Sequence, residues 1–344
     1  MRDLSYSQVE YRYGKDIDIY FLKQNVLTRY NEEVIYWKKK AEMLKPYAQP
    51  VANCILCGSD SSERVGHIYG WPWYQCKNCT HVYNGLRLPK EKYFEFYKEV
   101  DAPINYSDTY TDERVQKYRM ESVAKPKIEY ILNYASKGNR KLLDVAAGNG
   151  DALYLAKQMG FDVVKGIEIN SAAVKFGKEY WGVDIYEGIY EDFERENTEK
   201  WDVITFLGIL DIIPNPVEYV KITYRLLSQG GIAVFDIPNY NSLSRYVQFT
   251  YSDQLVCRFL YPSVISSYTE ESISQLLRKE GFDVIAVWYY GMDFYELINN
   301  LSYSDERFRN SKINELLRNN INELQNIFDK QKMGDDLFVI AKKK

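Results

Sequence analysis

The segment Leu142-Leu143-Asp144-Val145-Ala146-Ala147-Gly148-Asn149-Gly150 constrains this chain more than any other. An apolar run ends in an acidic residue and a turn of small residues. The apolar helix pattern Ala152-Leu153-Leu155-Ala156 follows. A second apolar run, Asp162 to Ile167, ends in Glu168, eighteen residues after Gly150. Strand, turn, helix and strand in this order predict a pocket at the carboxyl edge of a parallel sheet. Small residues let a ligand approach the backbone. The helix start offers free N–H groups to an anionic ligand group. A carboxylate at the end of the second strand can accept two ligand hydroxyls.

Composition narrows the class. With 344 residues, two or three domains are expected, and a core of this size needs no disulfide stapling. Hydrophobic residues make up 46% and charged residues 27%, as in a soluble globular protein. No run of eighteen apolar residues predicts a membrane span. The polar stretch Met1 to Glu10 lacks the apolar centre of a signal peptide. A net charge of −4 argues against a dedicated nucleic-acid binder. The expected setting is the cytoplasm, with no membrane or nucleic-acid partner.

Cys54-x2-Cys57 and Cys76-x2-Cys79 form two pairs separated by eighteen residues. This spacing predicts a four-thiolate zinc site, each pair pointing two sulfurs at one tetrahedral ion. Two disulfides are the alternative, which a cytosolic setting disfavours. Four thiolates leave no open coordination position, so such a zinc is structural. Cys257 stands alone and reads as a buried apolar side chain.

Along the chain, residues 1–50 read as a helical extension. Asp16 is a candidate cap, and Ile19, Leu22, Val26, Leu27, Tyr30, Val34 and Trp37 form a stripe that packs on the body or serves a homodimer. Residues 51–90 form the zinc ribbon. Tyr69, Trp71, Trp73 and Tyr74 make its own small core or a stacking surface. Residues 91–140 read as a helical connector, with Tyr106, Tyr110 and Tyr118 ahead of a helix at 126–134. Residues 141–344 alternate seven strands with helices, an α/β doubly wound Rossmann-like sheet. Residues 239–268 are too long for a plain crossover. Their aromatics Tyr240, Tyr246, Phe249, Tyr251, Phe259 and Tyr261 suggest a lid, or packing alone.

A dinucleotide fingerprint requires a small residue where Leu153 stands. The string instead resembles motif I of the class I S-adenosylmethionine (SAM) methyltransferases, acid-x-Gly-x-Gly-x-Gly. Asp144, Gly148 and Gly150 match, and Ala146 replaces the first glycine. From Cys54 to Lys344 the chain resembles zinc-ribbon-bearing members associated with sugar, surface-glycan or secondary-metabolite biosynthesis. The run Cys76 to Arg87 resembles their second knuckle, and Trp201 to Phe206 their fourth strand. Leu226-Leu227-Ser228-Gln229-Gly230-Gly231 resembles the turn before the fifth, and Tyr268 to Phe282 the helix before the sixth.

The resemblance implies a methyl transfer from SAM to a small molecule, a sugar or nucleotide sugar foremost. It implies that Asp144, Ala146, Gly148, Asn149 and Gly150 shape the methionine end of the site. Glu168 then binds the ribose, Ile169 packs on adenine, and Ile189 and Tyr190 lie near the adenine amino group. Phe206, Leu207 and Gly208 line the floor near the methyl. Relatives carry histidines where this chain has Ile212 and, between Pro262 and Tyr268, Val264. The two histidines, His67 and His81, lie in the ribbon. The candidates for a base toward a hydroxyl acceptor are then Asp211, Asp236 and Tyr268, which read alternatively as two loop-end caps and a packed ring. A degenerate, scaffolding relative of the enzymes is the alternative. A nicotinamide-linked sugar enzyme is a third reading, opposed by Leu153 and by the lack of a Tyr-x-x-x-Lys pair.

Overall fold

The computed structural model describes residues 9–23, 26–98, 112–138, 140–258 and 260–344. Tyr106, Tyr110 and Phe259 lie outside them, as do the side chains of Val26 and Leu27.

In chain order the strands are β1 Glu10–Tyr13, β2 Gln49–Pro50, β3 Ser62–Ile68, β4 Trp71–Cys76, β5 Val82–Asn84, β6 Leu86–Arg87 and β7 Lys141–Val145. Then come β8 Val163–Glu168, β9 Asp184–Glu187, β10 Trp201–Leu207, β11 Leu227–Pro238, β12 Ser266–Ser267, β13 Phe282–Tyr290 and β14 Asp336–Lys343. The main sheet has the order β1-β13-β14-β11-β10-β7-β8-β9. β14 runs antiparallel between β11 and β13, and the inner strands from β9 to β11 are parallel. The order reverses at β7, which has β8 on one side and β10 on the other. A crevice opens at such a switch point, outside the carboxyl ends of the strands.

The seven strands read from the sequence are all in this sheet. An eighth, β1, comes from the segment read as helical. It pairs in parallel with β13, Glu10 opposite Ala286 and Tyr13 opposite Tyr289. Its side chains alternate across the sheet: Tyr11 and Tyr13 stack on one face, while Arg12 lies over the Trp288 ring on the other, 3.9 Å from its centroid. Four residues with one alternation give too short a pattern to stand out.

Helix starts follow their caps. Asn170 accepts from the Ala172 and Ala173 amides, Asn215 from that of Glu218, and Thr269 forms a capping box with Ser272. In the N-terminal segment Asp18, not Asp16, is the cap, accepting from the Phe21 amide at 3.0 Å. Two helices stand there, Ile19–Leu22 and Val26–Leu44. Tyr30, Val34, Trp37 and Ala41 of the longer one are buried on the chain's own body, so the stripe read as a candidate dimer contact is already covered.

β3, β4 and β5 form an antiparallel ribbon, and β12 adds to its β5 edge although it lies in the 239–268 segment. Trp71 and Trp73 are fully buried between ribbon, the 239–268 segment and the N-terminal helix, which removes them as a stacking surface. No helix among the described residues is long and apolar enough to cross a membrane.

Candidate active site and cysteine cluster

A cavity of about 800 Å³ opens at the carboxyl ends of β7, β8 and β10. Each of its walls follows from a local rule. β7 delivers Asp144, whose carboxylate accepts from the Thr205 hydroxyl of β10 at 2.6 Å. Burial pushes the Asp144 carboxyl up to about 7; the Thr205 hydrogen bond opposes this and the Asp151 and Glu168 charges add to it. The turn that follows uses left-handed backbone at Ala146, Gly148 and Gly150, with φ of 60°, 55° and 80°. For Ala146 this carries a steric cost that glycine would avoid. At Gly148 a Cβ would meet nothing within 4 Å, so its open side faces the cavity. At Gly150 a Cβ would come within 2.7 Å of Val183, so that glycine serves close packing behind the wall.

Glu168 closes the edge of β8. Its carboxylate accepts from the Gly148 amide at 2.9 Å, the Ile169 amide at 2.8 Å and the Asn170 amide at 2.9 Å. One side chain thus ties the glycine turn to the neighbouring strand end. Asn149, Ile169, Ile189, Leu207 and Gly208 also line the cavity. Arg119 reaches the wall beside the helix Asp151–Gln158 and pairs with Asp151 at 2.9 Å.

Two expected wall residues point elsewhere. Phe206 is fully buried and stacks on Phe235 at 5.1 Å, because adjacent residues of a strand face opposite sides and Leu207 takes the cavity side. Tyr190 borders the cavity, but its ring is buried against Phe206 and Tyr219 and its hydroxyl meets Thr223 at 3.2 Å.

The three candidate bases separate clearly. Asp211 lines the cavity, is 4% exposed, and its Oδ1 has no hydrogen-bond partner among the described residues. Burial pushes its carboxyl up to about 7, with its own backbone and Arg245 opposing and Asp236 adding. Asp236 lies off the cavity and is engaged by Lys127 and by the Tyr290 hydroxyl at 2.6 Å. Tyr268 is fully buried behind the loop, donating to the Leu210 carbonyl at 3.2 Å with its ring against His81. Ile212 and Val264 do border the same cavity, so no imidazole comes from those positions. His67 sits at the surface beside Asp253, and His81 is buried.

The far end of the cavity is aromatic. Tyr36, Trp37, Tyr93 and Tyr261 line it, with Trp37 stacked on Tyr261 at 3.7 Å. Its members come from three distant segments, and Tyr261 belongs to the aromatic run of 239–268 that suggests a lid. Trp37 was visible only as part of a helical stripe.

In the ribbon, the four sulfurs of Cys54, Cys57, Cys76 and Cys79 all lie within 4.8 Å of one another. Cys54 and Cys79 are 3.5 Å apart, and Cys57 and Cys76 are 3.6 Å apart. A tetrahedral zinc with sulfurs at ~2.3 Å needs edges of roughly 3.8 Å, so the donor set fits that ion. The two knuckles match: Gly58 donates to the Cys54 carbonyl and Thr80 to the Cys76 carbonyl, both from left-handed backbone.

The chain is 29% identical over 117 residues to the ubiquinone biosynthesis O-methyltransferase of Saccharophagus degradans, covering 33% of this chain and 49% of that protein. It is 22% identical over 207 residues to that of Neisseria meningitidis, covering 57% and 86%. The chain thus spans about half the length of the first of these. Among solved structures, a SAM-dependent methyltransferase from Archaeoglobus fulgidus aligns with a TM-score of 0.46 at 20% identity, over 67% of this chain and all of that one. The plantazolicin methyltransferase BamL aligns with a TM-score of 0.46 at 15% identity, over 74% and 93%. The family profile described as "Methyltransferase domain" matches residues 115–287, from the helix leading into β7 to within β13. That match takes in half of the chain and the whole turn-and-carboxylate edge of the cavity, and the protein belongs to the methyltransferase domain family.

Proposed function

We propose that this protein transfers the methyl group of SAM to a hydroxyl of a small acceptor, with Asp211 as the base. The observation that carries the reading is that Asp211 and the Gly148–Glu168 edge open on one cavity. The methyl of SAM is already electrophilic, so the protein's task is to align a nucleophile and exclude water. Glu168 is placed to take ribose hydroxyls, and the turn through Gly148 to take the methionine end. Leu207 and Gly208 border the path between the two ends. A buried carboxylate with a pKa near 7 is half ionised at neutral pH and suited to accept a hydroxyl proton. The O-methyltransferase names of the relatives favour oxygen as the atom methylated.

For the acceptor, we propose a sugar or nucleotide sugar. The support is the aromatic lining of that end of the cavity: Tyr36 and Tyr261 are partly exposed there, over the buried Trp37 and Tyr93, and can meet the apolar face of a sugar ring. The four ribbon cysteines hold one structural zinc ion in this reading. A degenerate, scaffolding protein is the second reading, favoured by Ile212 and Val264 on the cavity where histidines would serve.

The decisive experiment incubates the protein with methyl-labelled SAM and a panel of sugars and nucleotide sugars, beside an Asp211→Asn variant. Asp211→Asn is expected to lower turnover about 10²-fold or more while S-adenosylhomocysteine binds nearly as before. Equal turnover in parent and variant would reject the base. No labelled product from any acceptor, with SAM still bound, would favour the scaffold.

A further inference from the structure

We propose that Arg87 is a positioning residue, which fixes the loop 208–214 beneath the acceptor and so makes the cysteine ribbon part of the acceptor site. The inference rests on the reading of Asp211 as the base.

Loop 208–214 leaves the end of β10 and contributes three carbonyls to contacts outside itself. The Leu210 carbonyl accepts from the Tyr268 hydroxyl at 3.2 Å. The Asp211 carbonyl accepts from the Ile265 and Ser266 amides, both at 3.0 Å. The Pro214 carbonyl accepts from Arg87 Nη1 at 3.2 Å. Each of these donors leads back to the ribbon. Ser266 and Ser267 are β12, paired with Tyr83 and Val82 of β5. The Asn84 amide donates to the Ile265 carbonyl at 3.1 Å, and its side chain to that of Val264 at 3.3 Å. Tyr268 rests its ring on His81, with centroids 4.9 Å apart. Thr80 and Thr269 share a hydroxyl hydrogen bond of 2.6 Å. Arg87 itself ends β6, which follows the ribbon strand β5 and pairs with β2, and its guanidinium bonds the loop directly.

The energetics of Arg87 point the same way. Its Nε and Nη2 are buried and make no hydrogen bond among the described residues. A buried guanidinium with two idle nitrogens is unfavourable, and an apolar side chain would fill the same space at less cost. What the guanidinium adds over such a side chain is the bond to Pro214, at the far end of the loop from Tyr268. The loop is therefore held at both ends and in the middle, and Asp211 is fixed by contacts that lie outside the segment supplying the rest of its own sheet edge.

The test uses the full chain and hydrogen exchange read by mass spectrometry. Arg87→Met is expected to speed exchange about tenfold in peptides covering 207–213 and 264–269, whose Ile265 and Ser266 amides report on the Asp211 carbonyl. Peptides covering 142–150 and 71–76 stay at the parent rate, and S-adenosylhomocysteine affinity stays within about twofold. Arg87→Lys, which keeps a donor in reach, restores most of the protection. Tyr268→Phe removes one hydroxyl and should loosen the same peptides, which covers the case in which Arg87→Met fails to fold. Parent-like exchange in 207–213 and 264–269 would overturn the proposal. So would a loosening spread evenly over ribbon and sheet, or Arg87→Lys behaving as Arg87→Met. Asp211→Asn leaves this exchange pattern unchanged, so a failure of the base leaves the positioning role standing.

Discussion

Replacing Glu168 by alanine removes one acceptor that serves two tasks. A carboxylate has about four lone-pair positions. Three backbone amides, those of Gly148, Ile169 and Asn170, already use most of them. The energy left for a ribose is therefore near that of one hydrogen bond to a charged group, about 1.5–3 kcal/mol, rather than two. That range corresponds to a loss of about 10- to 150-fold in S-adenosylhomocysteine affinity. The freed amides lie at the cavity edge, where water can replace the carboxylate, so the fold should lose little. Gly148, with its left-handed backbone, loses its tether and adds a further ordering cost to binding. Glu168→Gln should fall between the two, because its NH₂ group faces an amide that also donates. Titration calorimetry at fixed ionic strength measures the change. A dissociation constant within about twofold of the parent for Glu168→Ala would refute the argument and remove Glu168 from the site.

Elemental analysis of reduced, metal-replete protein should find about one zinc per chain. Cys54→Ser should lower the melting temperature by several degrees while leaving S-adenosylhomocysteine affinity within about twofold, because metal energy here is folding energy. For the reaction, a base works in its ionised form, so turnover should rise with pH through about 7 and level off above it; a flat profile from pH 5 to 9 would exclude Asp211. For stability, burial raises the Asp329 carboxyl to about 8, above its unfolded value near 4. The unfolded chain then holds fewer protons than the fold between those values, so this group costs stability progressively as pH rises from about 4 to 8 and no more beyond. Asp329→Asn keeps the acceptor for Gln325, and its melting temperature relative to the parent should climb between pH 5 and 8; a constant difference would show that Asp329 is not the titrating group.

The cofactor edge was legible because it is local. Asp144, Gly148 and Glu168 lie within one strand–turn–helix–strand unit, and period and turn chemistry place them without tertiary information. Alternation along β10 decides Phe206 as well: once Leu207 faces the crevice, its neighbour must face the core. Residue type alone does not place a titration: with no histidine in the catalytic domain, it is burial of Asp211, a tertiary property, that pushes its carboxyl up to about 7. The aromatic end of the cavity was legible only in Tyr261, one of the lid aromatics; its meeting with Trp37 and Tyr93 is long-range packing that leaves no periodic trace. β1 escaped for a related reason: its partner strand, not its own four residues, decides its conformation.

The edge pairing of β1 also sets an order of assembly. The Trp288 indole donates to the Gly14 carbonyl across 274 residues of sequence. β7, β8, β9 and β10 pair with near neighbours in sequence, and contacts between near neighbours form before those that close long loops. The parallel strands β7 to β10 can thus pair while the first helices are still searching. Trp37 meets Tyr261 across most of the chain. Under the proposed function, a chain refolding from denaturant should regain S-adenosylhomocysteine binding before it regains an acceptor site.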